Sequence, residues 1–157
     1  MKTVLTLMAL TTCFTPQDNC TQKIVDTIGS AKETVYVQAY SFTSFPIANA
    51  LIAAKQRGVS VNIIFDKSEF NTIPGTCEKL FAQNGIPIWD DYLPSIAHNK
   101  VMIIDDNEVI TGSFNFTHAA QFNNTENVLF IQDTVTAEAY LKAWNIRKGL
   151  SKEIQNG

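Results

Sequence analysis

The chain has 157 residues and a formal net charge of -3, enough for one domain with a sizeable core and too few for two ordinary ones. Apolar residues make up 45% and charged residues 17%, an ordinary globular composition for which disorder is not the default. The acidic balance excludes a uniformly basic, nucleic-acid-coating protein but leaves room for a local basic patch.

In chain order, Met1-Lys2 and the run from Thr3 to Leu10 read as the remnant of a signal peptide or as a first strand, Thr3 to Phe14. The interrupting threonines and the lack of a small-x-small cleavage site favour the strand. No run of about 18 apolar residues exists, so no transmembrane helix is expected. Cys13 and Cys20 flank the turn-like Thr15-Pro16-Gln17-Asp18. That spacing admits a disulfide, which would imply an oxidising compartment, and equally admits free thiols in a reducing one. Three cysteines and two histidines show no metal-ligand spacing, so no metal or other cofactor is expected.

Gln22 to Lys32 has helical apolar spacing. Thr34 to Tyr40 reads as a strand. Phe45 to Arg57 reads as a helix with Pro46 in its first turn and Gly58 at its end. Val59 to Phe65 predicts a strand, Thr76 to Asn84 a helix closed by Gly85, and Ile86 to Trp89 a short strand. Ala97–Asp105 and Glu108–Phe116 predict a hairpin about Asp106-Asn107, and Asn127–Gln132 a further strand. Thr136 to Lys148 closes the chain as a helix, capped by Thr134 or Thr136 with Glu138 in its first turn, and the tail after Gly149 is expected to fray. Strands alternating with helices predict an α/β fold: a mixed β-sheet flanked by helices on both faces, forming one domain over 1–157.

The stretch that carries chemistry is Ala97-His98-Asn99-Lys100, then Asp105, then Gly112-Ser113-Phe114-Asn115. Residues two apart on a strand face the same side, so His98 and Lys100 project together while Asp105 points away and anchors the turn. A two-residue turn at Asp106-Asn107 sets His98 opposite Asn115 and Lys100 opposite Ser113, unless Gly112 introduces a bulge. One face then carries an imidazole, an ammonium, a hydroxyl and an amide. A lone histidine on a strand is usually a satisfied core or surface residue. A lysine in an otherwise buried strand is rarer, and it points to a site.

The pattern His98-x-Lys100-x4-Asp105-x6-Gly112-Ser113-x-Asn115 resembles the HKD motif of the phospholipase D superfamily. Tyr40-Ser41-Phe42-Thr43, Ala54-Lys55-x-Arg57-Gly58-Val59 and Asn124-x-Glu126-Asn127 extend the resemblance to small bacterial single-motif members. Those members include secreted or periplasmic non-specific endonucleases. The run from Cys13-Phe14-Thr15-Pro16 to Cys20 is similar to the small phospholipase D proteins of rickettsial bacteria. The resemblance implies a metal-independent phosphodiesterase in which His98 forms a phosphohistidine, Lys100 and Asn115 bind the non-bridging oxygens, and Glu126 orients the imidazole. Ser113 is expected to bind substrate, with Ser41 and Thr43 lining the same site. Asp105 and Gly112 are read as structural motif positions, and His118 as a rim residue.

Small size, the single motif and the resemblance to the periplasmic endonucleases imply DNA or RNA first as substrate, with phospholipid headgroups at a membrane surface as the alternative. The acidic charge speaks against the first. Phe42, Phe45, Phe70, Leu93 and Phe122 would serve either as an apolar rim or as core. Phosphohistidine chemistry needs a second proton-handling group, so two copies are expected to share one site as a homodimer. A secreted or periplasmic location is the expectation.

Overall fold

The structure is a computed structural model that describes residues 8–70 and 77–154. The strands are β1 (Ala9–Thr15), β2 (Thr34–Ala39), β3 (Ser60–Asp66), β4 (Ile88–Asp91), β5 (Lys100–Ile104), β6 (Glu108–Gly112), β7 (Glu126–Gln132) and β8 (Lys152–Glu153). The helices are α1 (Cys20–Ser30), α2 (Phe45–Gln56), α3 (Glu78–Gln83), α4 (His118–Phe122) and α5 (Thr134–Leu150), with a 3-10 turn at Lys67–Phe70. The strands form one mixed sheet in the order β1-β7-β6-β5-β2-β3-β4-β8. β2, β3 and β4 run parallel, and β5, β6 and β7 run antiparallel to their neighbours. The fold is α/β with helices on both faces.

Alternation along the strands divides two cores. Met102, Ile104 and Ile110 face a cluster with Ile24 and Ile28 of α1, Leu51 of α2 and Phe81 of α3. Val101, Ile103 and Val109 face Ala137 and Trp144 of α5. That is the period-2 split expected of a sheet covered on both sides. The Trp144 indole N–H donates to the Val37 carbonyl at 2.9 Å, so its polar end is satisfied while its rings pack. Asn19 caps α1 by accepting the Gln22 amide at 3.0 Å. Cys13 and Cys20, both fully buried, are joined by a disulfide that staples β1 to the start of α1.

Several expectations need correction. The β5–β6 hairpin pairs Val101 with Thr111 and Ile104 with Glu108, so the connection is Asp105-Asp106-Asn107. The expected register, one residue longer, is not formed, and His98 and Asn115 lie outside the paired strands. The cause is Asp105. Its carboxylate binds three backbone amides, and Asp105 and Asp106, not Asp106 and Asn107, take the positive φ values of 49° and 54°. Asp tolerates that conformation, so the turn starts one residue early. Asp133, neither Thr134 nor Thr136, caps α5, accepting the Thr136 amide at 2.8 Å; Glu138 falls outside its first turn. The tail does not simply fray: Lys152 and Glu153 add a short strand beside β4. α4 carries no predicting pattern because it spans only five residues. The parts of the first strand and third helix expected at 3–7 and at Thr76 lie outside the described residues.

Candidate active site

His98 sits in the segment between β4 and β5, exposed to solvent. Its position is set by the residue before it. The Ala97 N–H donates to the Asp66 carboxylate at 2.6 Å, and Asp66 also accepts the Ser68 hydroxyl at 2.6 Å. Burial pushes the Asp66 carboxyl up, but the Ser68 and Ala97 hydrogen bonds outweigh that and hold it below its ordinary value. The anionic end of β3 thereby pins the chain as it enters His98. Among the described residues, neither ring nitrogen of His98 makes a hydrogen bond. The imidazole packs against the ring of Tyr40, centroids 4.6 Å apart and planes at 62°.

Lys100 opens β5 and is only 7% exposed. Its ammonium donates to the His98 carbonyl at 2.7 Å and lies 5.2 Å from the Tyr40 ring centroid. Burial lowers its pKa, and the charge of Glu126 opposes that shift. A buried cation near a ring face, two residues along the chain from an exposed imidazole, is a means of holding a phosphate.

Glu126 opens β7. Its carboxylate accepts the Ser113 hydroxyl and the Asn124 amide, the latter at 2.9 Å. The Glu126 backbone N–H donates to the fully buried Thr15 hydroxyl at 3.1 Å, and that hydroxyl donates to the Ala120 carbonyl at 2.8 Å. No hydrogen bond joins Glu126 to His98 in the single chain, so the expected orienting contact is not made there. The Glu126 charge favours the protonated form of Lys100, against the larger effect of burial. Gly112 permits this arrangement: a Cβ at its position would collide with the Asn127 carbonyl oxygen. That close approach lets the Ser113 N–H reach the same oxygen at 3.1 Å.

Asn115 follows, with its side-chain carbonyl oxygen buried and without a partner. Buried polar atoms are nearly always paired, and this acceptor would be met by a donor, while the Asn115 amide N–H groups are the part suited to phosphate oxygens. Asp105 lies at the far end of β5, accepting the amides of Lys32, Glu33 and Thr34 at 2.8, 2.8 and 3.0 Å.

The remaining candidates make other contacts. Ser41 hydrogen-bonds to Glu69, a carboxylate 3% exposed that also accepts the Phe42 amide at 3.2 Å. Thr43 lines a separate groove of about 110 Å³ with Phe45, His118 and Phe122. His118 packs on Phe122, ring centroids 4.5 Å apart. Sequence reasoning assigned no role to Tyr40, Asp66, Glu69 or Thr15. The signal for the carboxylates was faint, a charged residue ending an apolar strand or following it. Thr15 stood out only as part of the Cys13-to-Cys20 run, with no role of its own.

A family model described as cardiolipin synthase, PLD-like domain, matches residues 24–145. Over 147 residues the chain is 46% identical to a phospholipase D of Rickettsia prowazekii, covering 92% of this chain and 70% of that one. It is 29% identical over 140 residues to a mitochondrial cardiolipin hydrolase of Xenopus laevis, covering 88% of this chain and 66% of that one. Among solved structures, Nuc of Salmonella typhimurium, described as a phospholipase D family member, superimposes with a TM-score of 0.89 at 36% identity. It covers 95% of this chain and 99% of that one.

Proposed function

The chain belongs to the phospholipase D superfamily of phosphodiester hydrolases, and from that premise we propose that it cleaves phosphodiesters without a metal, through a phosphohistidine on His98. The observation that carries this is the pairing of an exposed imidazole with a buried ammonium, Lys100, whose charge Glu126 sustains. The donors are an imidazole, an ammonium and amides, not the carboxylate cluster of two-metal chemistry. An imidazole nitrogen of His98 attacks phosphorus and the bond to the leaving oxygen breaks. A second acid protonates that oxygen. Water, deprotonated by the same group, then displaces His98 and releases the phosphate product. Lys100 and Asn115 stabilise the charge that accumulates on the non-bridging oxygens.

The second acid is the His98 of another copy. The chain has two histidines, and His118 is packed on Phe122 in the separate groove. A two-fold axis bringing like patches together supplies a second His98 to one cleft, so the working enzyme is a homodimer. The Cys13–Cys20 disulfide supports a secreted or periplasmic setting.

For substrate, the headgroup ester of a phospholipid comes ahead of nucleic acid, the reverse of the order implied by size and motif alone. Tyr92, Leu93 and Ile96 expose about half their surfaces in the segment leading into His98, an apolar rim suited to a lipid surface. Relatives named phospholipase D and cardiolipin hydrolase support the same order. Nucleic acid remains the second reading because exposed Phe45 and Phe122 flank a groove where bases can stack. The test is hydrolysis in excess EDTA of phosphatidylcholine and cardiolipin vesicles, plasmid, single-stranded DNA and RNA. Fastest turnover of a lipid supports the reading. Turnover of nucleic acid alone reverses the substrate order, and loss of all activity in EDTA refutes the mechanism.

A further inference from the structure

Tyr40 is the residue just past the end of β2, and its backbone N–H donates to the Asn99 carbonyl at 3.0 Å. Asn99 lies between His98 and Lys100, so that bond fixes Tyr40 against the segment carrying both. One ring then meets both groups: the imidazole of His98 at 4.6 Å, tilted by 62°, and the ammonium of Lys100 at 5.2 Å. Both separations fall within the range where aromatic and cation–ring contacts stabilise a geometry. The contact matters because His98 has no hydrogen bond to hold its ring among the described residues. Burial also disfavours the charged form of Lys100.

We infer that Tyr40 is a positioning residue of this site, whose aromatic ring holds the His98 imidazole in its attacking orientation and keeps the Lys100 ammonium beside it. The ring does this, not the hydroxyl, for which the structure gives no hydrogen bond among the described residues. This rests on His98 being the nucleophile, and a His98→Ala control separates the two claims.

Tyr40→Phe keeps the ring and removes the hydroxyl. Tyr40→Leu removes the ring and leaves a side chain that fits a strand end. Steady-state kinetics on the substrate turned over fastest should show Tyr40→Phe within about twofold of wild type, while Tyr40→Leu loses about ten- to a hundredfold in kcat, the scale of a slightly misplaced reacting group. KM should move less than kcat, since the ring touches the nucleophile and not the bulk of the substrate. Circular dichroism and thermal melting check folding; if Tyr40→Leu does not fold, Tyr40→Met is read in its place. The His98 imidazole proton resonances provide a readout without turnover. They should stay near wild type in Tyr40→Phe and move in the ring-less variant. If the folded ring-less enzyme keeps wild-type kcat, or Tyr40→Phe is damaged as much, the inference fails while His98→Ala still tests the nucleophile. If His98→Ala retains activity, the underlying reading fails first.

Discussion

The Ser113 hydroxyl donates to the Glu126 carboxylate and accepts the Asn127 backbone N–H at 3.1 Å with the same oxygen. Its proton is already committed inside the chain, so Ser113 holds the carboxylate that faces Lys100. Ser113→Ala should lower kcat by about ten- to a hundredfold through a misplaced Glu126, with thermal stability little changed because the pair is solvent-exposed. An equal loss in Ser113→Ala and Glu126→Gln, with no further loss in the double variant, is the expected cycle. Additive losses would mean that Ser113 contacts substrate independently.

Burial disfavours the charged form of Lys100 and lowers its pKa. A base whose folded pKa is lowered carries a penalty that is fully present below the folded value and relieved as pH rises towards the unfolded one. Lys100→Met should therefore leave melting temperature at neutral pH unchanged or raised, while kcat/KM collapses. Melting curves with kinetics on the same preparations check this. A strongly destabilised Lys100→Met would show that the ammonium serves the fold.

Asp105 behaves in the opposite sense. Burial pushes its carboxyl up, but the amides of Thr34, Glu33 and Lys32 together hold it below its ordinary value. Its stabilisation is present above the unfolded carboxylate pKa of about 3.9 and fades as pH falls through the lower folded value. Asp105→Asn keeps the side-chain shape and tolerates the positive φ. It should cost about 1–3 kcal/mol at neutral pH, and the gap to wild type should close in acid. Denaturant melts at several pH values measure it, with the activity of the folded fraction preserved. Loss of catalysis without loss of stability would contradict a purely structural Asp105.

The disulfide closes a loop with a sequence separation of 7, and a constraint of that size stabilises by about 2–3 kcal/mol in the loop-entropy model. It also fixes β1, whose last residue, Thr15, receives the Glu126 amide. A Cys13→Ala, Cys20→Ala variant should melt several degrees lower and keep its kcat below that transition. Identical melting of reduced and oxidised protein would contradict the staple.

How much of this the sequence announces depends on the range of each interaction. Elements with a strong period, such as β2, α2 and β3, are legible because burial dictates which residues face inward. The turn at Asp105 is not legible in register. Its start is decided by amides of Lys32, Glu33 and Thr34, some 70 positions earlier in the chain. The same holds for α4 and β8, too short for a periodic signal and fixed by docking. His98, Lys100, Ser113 and Asn115 are visible because their residue types and spacing are improbable in a packed strand. Tyr40, Asp66 and Thr15 are not, because each acts on the site through a contact distant in sequence.

The proposed homodimer is tested by mixing. Excess His98→Ala chains exchanged into wild-type enzyme should suppress activity beyond simple dilution, since mixed pairs hold one histidine where two are needed. Sedimentation at the assay concentration should show two copies per particle. Full activity in a monomeric sample would remove the shared site.

The proposed mechanism turns on a covalent phosphorus–nitrogen bond on His98. Rapid quenching of wild-type enzyme with a slowly turned-over phosphodiester in EDTA, followed by mass spectrometry of the digested chain, reads it directly. An acid-labile, base-stable adduct is expected on the peptide containing His98. It should be absent from His98→Ala, whose turnover should fall by about 10³-fold or more. Steady turnover in EDTA with no adduct on that peptide, or with His98→Ala still active, would contradict it.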